Sequence, residues 1–113
     1  MDKLTLYVKD FSRTPGTRHR DEGRKSNSGQ QFREEYLEPY FSKVISGEYN
    51  KLVVNLDGTI GFGTSWLEEV FGGLTRHYDT KTVMSKIEFV SKEEPYLIED
   101  IHSYIEHAKD KVK

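Results

Sequence analysis

Lys51-Leu52-Val53-Val54-Asn55-Leu56-Asp57-Gly58-Thr59-Ile60-Gly61-Phe62-Gly63-Thr64-Ser65-Trp66-Leu67-Glu68-Glu69-Val70-Phe71-Gly72-Gly73-Leu74 carries a strand, a turn and a helix in succession. Its first part is rich in branched residues and runs apolar from Leu52 to Val54, as a central strand covered on both faces does. Asp57-Gly58-Thr59 follows as a turn. Gly61, Gly63, Ile60 and Phe62 make a flexible apolar junction. A helix start comes next, with Ser65 as the capping residue and Glu68 completing a capping box. Leu67, Val70, Phe71 and Leu74 recur at steps of three and four, so they form the inner stripe of that helix. Gly72-Gly73 lowers its intrinsic stability by up to about 1 kcal/mol per glycine. The missing side chains are better read as room for another backbone to approach.

Strands and helices alternate on both sides of this stretch. Leu4, Leu6 and Val8 alternate with Thr5, Tyr7 and Lys9, which predicts a strand with one buried face that can run to Phe11. Residues 12–27 are the least regular, with turn signals at Thr14-Pro15-Gly16-Thr17 and Gly23. Ser28 and Gln31 read as the capping box of a helix whose apolar stripe is Phe32, Tyr36, Leu37, Tyr40, Phe41, Val44 and Ile45. Pro39 predicts a kink or a break there, and Gly47 an end. A third strand is predicted over Thr82–Ser91. After Pro95, the spacing of Ile98, Ile101, Ile105, Ala108 and Val112, supported by Leu97 and Tyr104, predicts a final amphipathic helix. Helices between strands suggest crossovers and a partly parallel sheet in one domain over residues 1–113.

Composition bounds the function. The 113 residues include no cysteine, which excludes a disulfide framework and cysteine nucleophiles. Seven Tyr and six Phe are expected to carry much of the core. A formal charge of −2 gives no general nucleic-acid signal. No apolar run is long enough to span a bilayer and Met1-Asp2-Lys3-Leu4 lacks a leader's apolar stretch, so no membrane partner and a cytoplasmic location are expected. Charge is unevenly placed: Phe11–Ser28 holds five basic side chains (Arg13, Arg18, Arg20, Arg24 and Lys25) against two acids. Such a basic loop reads as a solubilising element, a contact for an acidic protein, or a nucleic-acid contact with His19, Tyr7 and Phe11 as stacking groups.

Few residue patterns carry chemistry. His19, His77, His102 and His107 lack metal-ligand spacing, so no metal is expected. Glu34-Glu35, Glu68-Glu69, Glu93-Glu94 and Glu99-Asp100 are adjacent pairs whose members diverge on a helix, and they read as solvated faces. The glycines form neither a dinucleotide fingerprint nor a phosphate loop, so no cofactor is expected. Asp57, just past a buried strand, lies where α/β proteins place ligand sites, and reads either as a turn former or as a partner-facing acid. The junction before Trp66 is the better candidate. A helix N-terminus stabilises an anion, and a phosphoryl group on Thr64 or Ser65 would add about −1.5 to −2 charge there. A Ser65 nucleophile lacks the G-x-S-x-G elbow.

Asn50–Leu74, together with Phe11-Ser12-Arg13-Thr14-Pro15-Gly16-Thr17-Arg18, Ser28-Gly29 and Phe32-Arg33, closely resembles a bacterial and phage family of STAS-like domains of unknown function. More broadly it is similar to STAS domains, among them the anti-sigma factor antagonists. The resemblance implies a mixed sheet of four or five strands with helices mainly on one face. It implies protein partners, commonly ATPase-like serine kinases. The hydroxyl those kinases modify falls at Thr64, with Ser65 beside it. Gly63 stands where the antagonists carry an acid, and Trp66 where they carry glycine.

These readings converge on a non-catalytic regulatory module in bacterial or phage signalling. Its expected partner surface comprises Asp57, Thr64, Ser65, Trp66, Arg13, Arg18, Arg20 and Arg24. The partner is a protein, such as an ATPase-like kinase or another regulator. Two alternatives stand beside it: a nucleic-acid-binding accessory that uses the basic loop, and a small hydrolase at the helix start.

Overall fold

A computed structural model describes residues 3–11, 28–59 and 63–108. The basic segment with Arg13, Arg18, Arg20 and Arg24, the turn at residues 14–17, the glycine junction at residues 60–62, and Val112 lie outside them. Strand β1 (Lys3–Tyr7) leads into one helical turn, α1 (Val8–Phe11). Helix α2 runs through Gly29–Phe32, a π-helical stretch Arg33–Leu37, and Glu38–Ile45. Strand β2 (Lys51–Asn55) is followed by α3, which likewise joins Thr64–Leu67, a π-helical stretch Glu68–Gly72, and Gly73–His77. Helix α4 (Thr80–Lys86), strand β3 (Ile87–Val90) and helix α5 (Tyr96–Glu106) complete the order.

Among the described residues the sheet has three strands in the order β1-β2-β3, all parallel, with Leu4 beside Leu52 and Leu52 beside Ile87. This corrects the expected mixed sheet of four or five strands. The third apolar run is also shorter than predicted. Asp79 accepts a hydrogen bond from the Thr82 amide at 2.7 Å and starts α4, so residues 80–86 coil before the strand begins. Parallel neighbours need crossovers, and right-handed crossovers stepping one way place the helices on one face. Burial agrees. Leu6, Leu52, Val54 and Ile87 are buried, whereas Lys3, Thr5 and Tyr7 are exposed and Val53, Asn55, Glu88 and Val90 are half-exposed. On that second face Lys3 reaches across β2 to Glu88, with Nζ 3.0 Å from Oε1. Val53 is therefore not sealed as its apolar run predicts.

Local chemistry explains the helix ends. Ser28 Oγ accepts from the Gln31 amide at 3.1 Å, but the box is half made, because the Gln31 side chain donates to Glu35 instead. Pro39 does not break α2. The Glu38 amide reaches back to the Arg33 carbonyl, and this π register just before Pro39 absorbs the missing donor. The helix ends in a Schellman motif. Gly47, at φ 95°, donates to Val44, and Glu48 donates to Lys43.

The largest enclosed side chains are Trp66, Phe32, Phe41 and Phe71. The tyrosines stay at the boundary or outside, where their hydroxyls meet water. Phe71 of α3 stands edge-on to Phe89 of β3 at 5.2 Å, and Phe32 of α2 lies 5.1 Å from the Trp66 ring. Gly29 lets α2 and α3 touch by their backbones: a Cβ there would lie 3.0 Å from the Trp66 carbonyl oxygen. Among the described residues no helix is long and apolar enough to cross a membrane.

Candidate functional site

The C-terminal ends of the strands carry three turns that are tied to one another. Both carboxylate oxygens of Asp57, after β2, accept backbone amides from the turn after β3: Lys92 at 3.2 Å and Glu93 at 3.0 Å. Glu93 returns the tie by accepting from the Gly58 amide at 2.9 Å. Gly58 has φ 90°, and a Cβ there would meet the Lys9 side chain of α1 at 2.6 Å. A side chain would thus be both strained and crowded. Asp57 is a turn former that staples this edge of the sheet.

The junction leads from this edge into α3. The helix begins at Thr64, two residues earlier than the predicted Ser65 cap places it. Gly63, with φ −77° and ψ 140°, is the capping residue, and its carbonyl accepts from Trp66 and Leu67. Thr64 is exposed and Ser65 half-buried, while Trp66 is wholly enclosed against Phe32. The structure thus separates three residues that the sequence groups together. Thr64 reaches solvent, and the indole anchors the helix start from beneath. From Trp66 to Thr75 every residue of α3 is buried.

That burial includes two acids that read from sequence as a solvated face. Glu68 and Glu69 are buried because each has an arginine. Glu69 accepts from Arg33 Nη2 at 2.8 Å, and Glu38 accepts from Arg33 Nη1 at 2.6 Å. The Arg33 side chain is 11% exposed. Burial lowers its pKa, but the hydrogen bonds to Glu69 and Glu38 and the negative charges of those two carboxylates together outweigh that, and the guanidinium is held above its ordinary value. His77 stands at the rim, its Nε2 3.2 Å from Arg33 Nη1 and 3.5 Å from Glu38. Glu68 accepts from Arg76 at 2.9 Å, and Arg76 also donates to the Ala108 carbonyl beyond the end of α5.

The paired glycines make this network possible. A Cβ at Gly73 would lie 2.6 Å from Arg33 Nε, and one at Gly72 would lie 2.6 Å from Glu68 Oε2. What approaches them is an ion pair, not the backbone their sequence suggests. Arg33 and Glu69 also join the two π-helical stretches, which face each other. Sequence reading missed this network because its members lie far apart in the chain. The adjoining arginine and the glycine pair were the visible signals.

No group of three or more His, Asp and Glu among the described residues could hold a metal ion. The carboxylates of the network are engaged by arginines, so the arrangement joins helices and presents no paired acids to a cleft.

A parallel three-stranded sheet, helices on one face and a hydroxyl-bearing strand-to-helix turn describe a small α/β domain of the STAS-like type. Residues 28–97 match the model of the STAS-like domain of unknown function, DUF4325, which covers more than half of the chain, and the chain belongs to that family. Neither the curated proteins nor the solved structures give a significant match. STAS-like domains are non-catalytic and are associated with regulatory and protein-interaction roles.

Proposed function

We propose that this domain docks a signalling protein at the C-terminal edge of its sheet and that the contact is switched by modification of Thr64, with Ser65 as its neighbour. The observation that carries this reading is the exposure of Thr64 on the first turn of a helix that is buried from Trp66 to Thr75. A packed element thus presents a hydroxyl-bearing residue to solvent. The helix N-terminus favours an added phosphoryl charge, and the stapled Asp57 turn holds the rim on which a partner would rest. An ATPase-like serine/threonine kinase is the class of partner that suits such a hydroxyl. Arg13, Arg18, Arg20 and Arg24 give the sequence a cluster of positive charge that suits an acidic partner.

The test is capture from the native cell with mass analysis of residues 63–67, repeated with Thr64→Ala and Thr64→Glu. The expected result is a phosphorylated Thr64 and a captured protein that wild type and Thr64→Glu retain to different extents. An unmodified Thr64 with identical capture by all three chains would remove the switch. A salt-steep affinity for an oligonucleotide, lost when Arg18, Arg20 and Arg24 are neutralised, would favour the nucleic-acid reading instead.

A further inference from the structure

A second surface lies along β1, the outer strand of the sheet among the described residues. Among the described residues β1 pairs with β2 alone. In a parallel ladder successive residues direct their backbone groups to alternate sides, so half of those on β1 point away from β2. A cleft of about 110 Å³ opens beside this edge. Thr5 and Tyr7 reach it from the uncovered face of the sheet and Leu6 from the covered face, which places it along the strand's rim. Helix α2 overhangs it with Tyr36 and Tyr40, four residues apart and so on one face.

The remaining lining groups define what fits. Asp10 is the one charged side chain in the lining, it is exposed, and its carboxylate has no hydrogen-bond or ion-pair partner among the described residues. Around it stand aromatic rings. Phe11 packs edge-on against Tyr36 at 5.4 Å and against Phe32 at 5.2 Å, which fixes the ring of Tyr36 although that residue is 38% exposed. The rings already attract cations. Lys9 stands 5.8 Å from the Tyr7 centroid and Lys43 stands 5.8 Å from that of Tyr40. Both lysines are exposed residues at the rim.

We propose that this edge binds an extended segment of a partner protein by strand addition to β1, with one arginine or lysine side chain of that segment entering the tyrosine-lined cleft against Asp10. Main-chain pairing supplies affinity, and the cleft selects the cationic side chain. The cleft's size suits one side chain and no more. This surface is independent of the Thr64 edge, so either reading can fail alone.

The experiment titrates the full chain with a capped heptapeptide of alternating threonine and valine bearing a central arginine. A second peptide has glutamine at the centre, and N-acetyl-arginine amide serves as the small probe. The arginine peptide is expected to bind and to shift the amide resonances of residues 5–7. Replacement by glutamine, Asp10→Asn and Tyr36→Ala are each expected to weaken it about 2- to 30-fold, the span of a cation–π contact between exposed and desolvated limits. Thr64→Ala is expected to leave it unchanged. Equal binding of the arginine and glutamine peptides would overturn the cation site. Binding of the small probe as tight as the peptide would overturn strand addition, and absence of peptide binding to the folded chain would overturn both. Asp10 and Tyr36 are exposed, so folding is checked by circular dichroism rather than assumed.

Discussion

Glu34-Glu35 in α2 and Glu68-Glu69 in α3 are the same dipeptide in opposite surroundings. The first pair is exposed, with glutamines at hydrogen-bond distance one turn earlier. The second is buried, with an arginine on each acid. Residue type does not separate them. The difference is set by what lies opposite and by whether there is space for it. Gly72 and Gly73 open that space, and Arg33 and Arg76 fill it. A buried charge pair of this kind specifies how two helices meet more than it stabilises them, since desolvation consumes much of the attraction.

The most severe way to break the comparison is to remove Arg33. Arg33→Met strands the Glu69 carboxylate in the interior and is expected to cost about 3–5 kcal/mol, a fall of roughly 2 M in the urea midpoint for a domain of this size. The double variant Arg33→Met/Glu69→Leu should recover most of that loss, because an apolar pair needs no solvation. A single and a double variant of equal stability would mean that the pair is not coupled.

Gly73→Ala is the next largest. Its Cβ meets an Arg33 side chain held by two carboxylates, and crowding of that kind costs about 1–3 kcal/mol. Gly72→Ala meets only the tip of Glu68, which Arg76 holds, rather than the middle of a side chain as at Gly73, so it should cost less than Gly73→Ala, with up to about 1 kcal/mol of helix propensity offsetting the crowding at either position. Thermal unfolding of the two variants side by side reads the order directly. The exposed pair provides the smallest effect: Glu34→Gln and Glu35→Gln are each expected within about 0.5 kcal/mol of wild type by urea unfolding.

The same contrast explains how much was legible in the sequence. Features set by neighbours along the chain could be read. The alternation of β1 was visible as far as Tyr7, and so were the core of β2, the Ser28 cap, the Gly47 ending and the stripe of α5. Features set by competition could not. Asp79 captured residues that β-branched content assigned to a strand, and Pro39 was accommodated by a π register in place of a break. The strand count followed a resemblance and exceeded the three strands found among the described residues. At the candidate site, Thr64 is exposed. Trp66 was not legible as a core residue, since nothing near it in the chain announces Phe32.

The functional account rests on Thr64 being presented by an element that does not itself move. The most direct measurement is a binding titration of the captured partner with wild type and Thr64→Glu, on samples first shown to share one unfolding midpoint. The two affinities are expected to differ at least about tenfold, a change of about 1.4 kcal/mol in binding free energy. Superimposable isotherms at equal stability would contradict it.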